Sequence, residues 1–236
     1  MLLLGLDTST MWSSVALCDE HGVVLGEGGF DASGRSNQLL IVIDRVCRDA
    51  AVTPSAIDAV AVGAGPGSFT GLRIGMATAK GIAFAAPCPL WLVSSLAALA
   101  AEAVAMPDAR SRAVCAVIDA RKGEVYAGCY TGSGAPIGDE RVMPPEELAA
   151  WAEATAPGTA FAGNAIDSYS AALTSLSPRW LPAPRTPRAS LVARLALAGP
   201  RIDALLGGAP TYIRPSEAEV MYPDGVPGAL PSLQKA

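Results

Sequence analysis

Three groups of residues in this chain are of types that could do chemistry. The first is Asp7-Thr8-Ser9, directly after the apolar run 2–6. An acid with hydroxyls at a strand end could hold a metal–phosphate complex. Asp119, ending a comparable run in the second half, would face it across a cleft. The opposing reading makes both acids ordinary strand-end turn residues. The second group is "GAGPGSFTGLRIG", residues 63–75, with Ser68, Thr70 and Arg73 among its glycines. Glycine-rich loops bind phosphate where backbone N–H groups converge at a helix N-terminus. Here the G-K-[ST] ending of a Walker loop is missing, and Gly65-x-Gly67-x-x-x-Gly71 misses the dinucleotide fingerprint by one residue. A tight turn with close helix packing is the better reading. The third group is what metal or nucleophilic chemistry would need. The single histidine, His21, sits in "DEHG", and the five cysteines (Cys18, Cys47, Cys88, Cys115, Cys129) contain no C-x-x-C. A His-based zinc site and a Ser–His triad are thereby excluded.

The elements that must position these residues follow from periodicity. Residues 2–6, 12–18 and 23–28 read as a three-strand meander. A helix over 37–51 places Leu39, Leu40, Ile43, Val46, Cys47 and Ala50 on one face. A strand over 58–63 leads into the glycine stretch, a helix runs over 70–86 to Pro87, and a strand (90–93) and an Ala-rich helix (95–105) follow. The pattern then restarts with two strands in 113–130, a helix over 144–154 opening on Pro and Glu, and a strand over 159–165. A Pro/Arg-rich link, 178–188, precedes a helix from 189, and the segment from Pro223 on has little periodicity and reads as loose. The shared rhythm of strand, Asp, turn, strand, helix and strand predicts a duplicated α/β architecture with two lobes and a cleft.

Two stripes ask for a partner. Gly71, Gly75, Ala79 and Ala83 lie four residues apart on one helix. A glycine costs an isolated helix roughly 1 kcal/mol relative to Ala, so Gly71 and Gly75 make more sense as points of close helix approach. On the first helix the polar stripe of Asn37, Gln38, Asp44, Arg45, Arg48 and Asp49 takes in Ile41 and Val42. Exposed aliphatics among charges can mark an interface. The expected partner-facing residues are Leu40, Ile41, Val42 and Arg45 with Gly71, Gly75, Ala79 and Ala83.

The composition bounds the partners. With 51% hydrophobic and 17% charged residues the chain should fold. A net charge of −5 with only 17 Lys+Arg makes it a poor stand-alone binder of nucleic acid. The scattered cysteines fit a reduced, cytoplasmic setting. "MLLLGLDTST" lacks a basic leader and reads as a buried strand, and the apolar tract 81–101 is cut by Pro87 and Pro89, so no membrane span is expected.

"LLLGLDTST", "GAGPGSFTGLRIG", "VIDARKGEVYAGCY" and "PTYIRP", in that order over most of residues 1–215, resemble the bacterial TsaB (YeaZ) family. The resemblance implies an actin-like ATPase (ASKHA) fold, two duplicated lobes with mixed sheets flanked by helices. The first lobe would comprise 1–106 with 188–220, the second 107–187, and the tail 221–236. It further implies a non-catalytic relative of TsaD, peptidase M22-like, that activates threonylcarbamoylation of the adenosine beside the anticodon in tRNAs reading ANN codons. The implied partners are a TsaD-like protein directly, a TsaE-like ATPase in the complex, and tRNA only through the complex; a homodimer of the isolated chain is left open. No cofactor is implied for this chain, with residual nucleotide binding left open. The stretch "RSNQLLIVID" lacks the H-x-x-x-H pair of the catalytic relative, Asp119-Ala120-Arg121-Lys122-Gly123 is not glycine-rich, and "FAGNA" keeps Gly163 as a remnant of an adenosine signature. Asp7, Ser9, Asp119 and Gly163 are the expected degenerate nucleotide-site remnants. The competing readings are a stand-alone small-molecule kinase of the same fold and a metallopeptidase.

Overall fold

Continuous apolar runs make the centre of the first lobe. Leu2–Asp7 forms β1, antiparallel to β2 (Trp12–Asp19) and parallel to β4 (Ala59–Gly65). With β3 (Val24–Asp31) and β5 (Leu90–Ser94) the order is β3-β2-β1-β4-β5. Every residue of β4 is buried because helices cover both faces of the sheet. On one face α1 (Gln38–Asp49) and α2 (Phe69–Ala85) close a core of Leu4, Leu6, Val15, Val60 and Val62 with Leu39, Ile43, Val46 and Met76. On the other, α3 (Ser95–Val104) and α6 (Ala189–Ala198) pack on Leu3, Ala16, Ala59 and Ala61. The computed structural model describes residues 1–33, 38–109, 112–214 and 221. Asn37 and all of the tail from 222 on therefore lie outside the described residues.

The second sheet repeats the plan. β6 (Val114–Arg121) is antiparallel to β7 (Glu124–Tyr130) and parallel to β9 (Ala160–Ala162), in the order β8-β7-β6-β9. A parallel bridge from Phe161 to Trp180 stands where β5 stands in the first sheet. β8 (Pro136–Met143) occupies the place of β3. The mixed two-sheet α/β architecture expected from the restarting rhythm is what the topology shows. Between the sheets, α3 turns Leu96, Leu99 and Ala100 against Ala116, Ile118, Tyr126 and Tyr130. The Glu140 carboxylate of β8 accepts hydrogen bonds from Tyr130 at 2.7 Å and from Ser94.

Several boundaries differ from the periodicity. β8 escapes it because its side chains alternate irregularly and only Met143 is buried. The predicted helix over 144–154 opens as a single 3₁₀ turn, Pro145–Glu147, before α4 (Leu148–Thr155). The short α5 (Ala165–Tyr169) occupies the end of the predicted strand over 159–165. α6 ends at Ala198, where Gly199-Pro200 cannot continue it.

Candidate functional site

The glycine stretch is a joint. The Ser68 hydroxyl caps α2 by accepting from Gly71 N–H, while Ser68 N–H donates to Ser9 O at 2.7 Å. Two amides that a phosphate would need are thus already occupied. The Thr8 hydroxyl donates to Gly71 O at 2.8 Å. A Cβ on Gly71 would collide with Thr8 O, and one on Gly75 with the Thr8 hydroxyl. These glycines let α2 lie directly on the turn after β1.

The strand-end acids are committed too. Asp7 is fully buried; Oδ1 accepts from Ser9 N–H (2.9 Å) and the Ser9 hydroxyl (2.6 Å), and Oδ2 from the Ser95 hydroxyl (2.8 Å). Burial raises its pKa above the usual aspartate range, against those hydrogen bonds. Asp119 holds its own turn together. It accepts from Arg121 N–H (2.7 Å), the Tyr169 hydroxyl (3.0 Å) and the Ser168 hydroxyl (2.8 Å), and pairs with the Arg121 guanidinium at 3.3 Å. Its N–H donates to Asn164 Oδ1. Gly163, at φ +125°, packs so closely on Val117 O that no side chain fits, and its carbonyl accepts from Trp180 and Arg185. Asp119 and Ser9 reach the interlobe cleft, whereas Asp7 and Gly163 do not line it. The expectation that Asp7 faces Asp119 across the cleft is therefore corrected. Ser95, 88 residues away, helps to seal Asp7 inside.

The cleft has a volume of about 1120 Å³. Its first-lobe wall is Gly67–Thr70 with Arg73, and its second-lobe wall includes Asp119, Arg121, Lys122 and Tyr126. Among the described residues, Arg73, Arg121, Lys122 and Arg214 outnumber Asp119 and Glu124 along it, in a chain that is acidic overall. The Arg73 guanidinium lies 3.8 Å from the Phe69 ring centroid and donates to the Tyr212 hydroxyl at 3.1 Å. Arg214 pairs with Glu124 at 2.9 Å. Tyr212 and Arg214 are visible in the sequence only as part of "PTYIRP". Their place at the cleft depends on the chain returning over β4, where Thr211 N–H donates to Ala64 O at 2.7 Å.

The expected partner-facing stripes need correction. Val42 is only 4% exposed and packs in the core with Leu39 and Val46, its i−3 and i+4 neighbours. Gly75, Ala79 and Ala83 are buried against the chain's own sheet and turn, and Gly71 rests on Thr8. A face already filled by its own lobe cannot receive another helix. Leu40, Ile41 and Arg45 remain on the outside of α1. The outer face of α2 is Arg73, Ala77, Gly81 and Phe84, with nothing within 4 Å of a Cβ placed on Gly81 and Phe84 79% exposed. The small residues of this outer face, Ala77 and Gly81, repeat the four-residue spacing of Gly75 and Ala79 on the inner one.

Comparison with known proteins completes the picture. Residues 32–174 match the family model "TsaD: tRNA N6-adenosine threonylcarbamoyltransferase". The tRNA threonylcarbamoyladenosine biosynthesis protein TsaB of Haemophilus influenzae is 39% identical over 126 residues, 53% of this chain and 52% of that protein. The Bacillus subtilis protein of the same name is 31% identical over 65% of each chain. The chain thus spans between about half and two thirds of the length of these curated relatives. A Pseudomonas aeruginosa protein described as similar to peptidase YeaZ superposes with a TM-score of 0.75 at 36% identity, over 90% of this chain and 99% of that one. YeaZ from Pseudomonas aeruginosa gives 0.69 at 36%, over 83% and 91%. Matched at 36% identity across so much of those two structures, the chain belongs to the TsaB (YeaZ) family.

Proposed function

We propose that this protein is a non-catalytic subunit in the synthesis of threonylcarbamoyladenosine in tRNA, activating a TsaD-like transferase through a heterodimer. A TsaE-like ATPase joins the complex, and tRNA meets this chain only there, in the cytoplasm. The observation that carries the reading is Asp7. The acid best placed by sequence for metal–phosphate chemistry is sealed inside the protein by Ser9 and Ser95, while the family around it is named for this tRNA modification. Among the described residues no helix is long and apolar enough to cross a membrane.

The partner surface in this proposal is the outside of α1 and α2, which cover the same face of the first sheet. It comprises Leu40, Ile41 and Arg45 with Arg73, Ala77, Gly81 and Phe84. Purified with a TsaD-like protein, the TsaE-like ATPase, tRNA and threonylcarbamoyl-adenylate, the chain is expected to raise modification well above the same mixture without it, while showing no ATP turnover alone. ATP turnover by the isolated chain, lost with a cleft variant such as Arg214→Ala, would favour the stand-alone kinase instead. Gly81→Arg replaces an exposed helical glycine with a better helix former. It should leave melting unchanged or slightly raised and weaken partner binding tenfold or more, measured by calorimetry. Full affinity in a folded Gly81→Arg protein would place the interface elsewhere.

The lone chain should also hold tRNA poorly. Among the described residues Arg73, Arg121, Lys122 and Arg214 line the cleft, but Asp119 and Glu124 sit among them, and the chain carries a net charge of −5. Filter binding at ~0.15 M salt, where weak electrostatics are screened, should give a dissociation constant above the micromolar range. Submicromolar affinity would contradict it.

A further inference from the structure

We propose that Cys115 and Cys129 form an oxidisable dithiol site, which hydrogen peroxide converts into a disulfide between β6 and β7. The two residues are direct partners in the antiparallel ladder, and both lie in the core of the second lobe. Direct antiparallel partners have Cα atoms about 4.5–5.5 Å apart, inside the roughly 4.4–6.8 Å span of disulfides. Oxidation therefore needs no change of register. Direct partners in such a ladder carry their side chains on the same face of the sheet, and here both thiols lie in the core with Val117, Val125 and Ala127. The interaction with its neighbour Cys115 holds Cys129 below the usual thiol range, and burial raises Cys115 well above it.

The remaining cysteines lack this arrangement. Cys18 faces Leu3 and Val24 in its ladders, and burial raises its thiol to about 11. Burial also raises Cys47 and Cys88. The β7–β8 ladder slips between Ala127 and Cys129, so pairing beside this strand is locally interrupted.

In the reaction, the Cys129 thiolate attacks one peroxide oxygen, the O–O bond breaks, and water leaves after protonation. The resulting sulfenic acid is attacked by the Cys115 sulfur, which gives up its proton as the S–S bond forms and a second water departs. Two thiols are oxidised and one peroxide is reduced to two waters. The new bond staples the hairpin near the open end of its ladder, beside the Val114–Tyr130 pair and away from the Asp119–Lys122 turn on the cleft wall.

The test uses the full chain, reduced, freed of reductant and treated with hydrogen peroxide. It is then denatured and alkylated without reductant and digested with trypsin. The expected product joins peptide 113–121 to peptide 123–141, two hydrogens lighter than their sum and separated again by dithiothreitol. Cys18, Cys47 and Cys88 should all carry the alkyl group. In Cys115→Ala the crosslink should vanish and dimedone should trap Cys129 as its sulfenic acid. If that variant fails to fold, peptide mapping of the wild-type chain decides the matter alone. The proposal fails if all five thiols still alkylate after peroxide. It fails equally if Cys129 pairs with other cysteines as readily, or if the product is a sulfinic acid in place of the crosslink.

Discussion

Ala79→Arg is expected to leave no cooperatively folded protein at 25 °C. Ala79 is 0% exposed, within the core that joins α2 to Leu4, Leu6, Val60 and Val62. A long cationic side chain there must either be buried unpaired or push α2 off the sheet. Burying an unpaired charge costs several kcal/mol, and overpacking adds about 1–3 kcal/mol. A domain has only about 5–15 kcal/mol in total. Circular dichroism and gel filtration read the outcome. The contrast is Gly81→Arg, two positions further along the same helix, which faces open space and should change stability by roughly 0.5 kcal/mol or less. An Ala79→Arg protein melting near the wild-type temperature would mean that the two faces of α2 are assigned the wrong way round.

Asp7→Ala is expected to destabilise by about 3–5 kcal/mol, at the severe end for a single substitution. Three donors, Ser9 N–H and the Ser9 and Ser95 hydroxyls, lose their acceptor in a fully buried site. Each orphaned group costs about 1–3 kcal/mol. In a chain of this size that corresponds to a drop in melting temperature of about 10 °C. Asp7→Asn keeps one acceptor oxygen and nearly the same shape, so its cost should be clearly smaller.

The pH dependence gives a second readout with a definite sign. Because burial raises the folded-state pKa of Asp7 above 3.8, the folded protein favours its protonated form more than the unfolded chain does. Its favourable contribution is fully present below the unfolded value and is lost as pH rises through the folded one. The penalty of Asp7→Asn relative to wild type should therefore shrink as pH rises from about 3.8. Urea melts of both proteins across that range measure it. A penalty that grows with pH would show that the three donors outweigh desolvation and hold the carboxylate ionised.

Much of this protein is determined by local pattern. Period-two and continuous apolar runs placed β1, β2, β4 and β7, because a strand buried on one or both faces must carry that pattern wherever its partners come from. Pro87 and Gly199-Pro200 mark where helices stop, for reasons carried by those residues alone. The ordered motifs sufficed for the family.

Tertiary structure decided which side of each element meets the protein itself. α2 carries two small-residue stripes, and spacing cannot rank them; Thr8 and the first sheet claim Gly75 and Ala79, leaving Ala77 and Gly81 outside. Val42 turns inward for the same reason, since the sheet beneath α1 is wide enough to reach it. The closing of Asp7 depends on Ser95, and the cleft wall depends on Tyr212 and Arg214 returning from far along the chain. These are contacts between residues far apart in sequence, whose free energy depends on geometry that appears only once the helices and the returning chain are packed on the sheet.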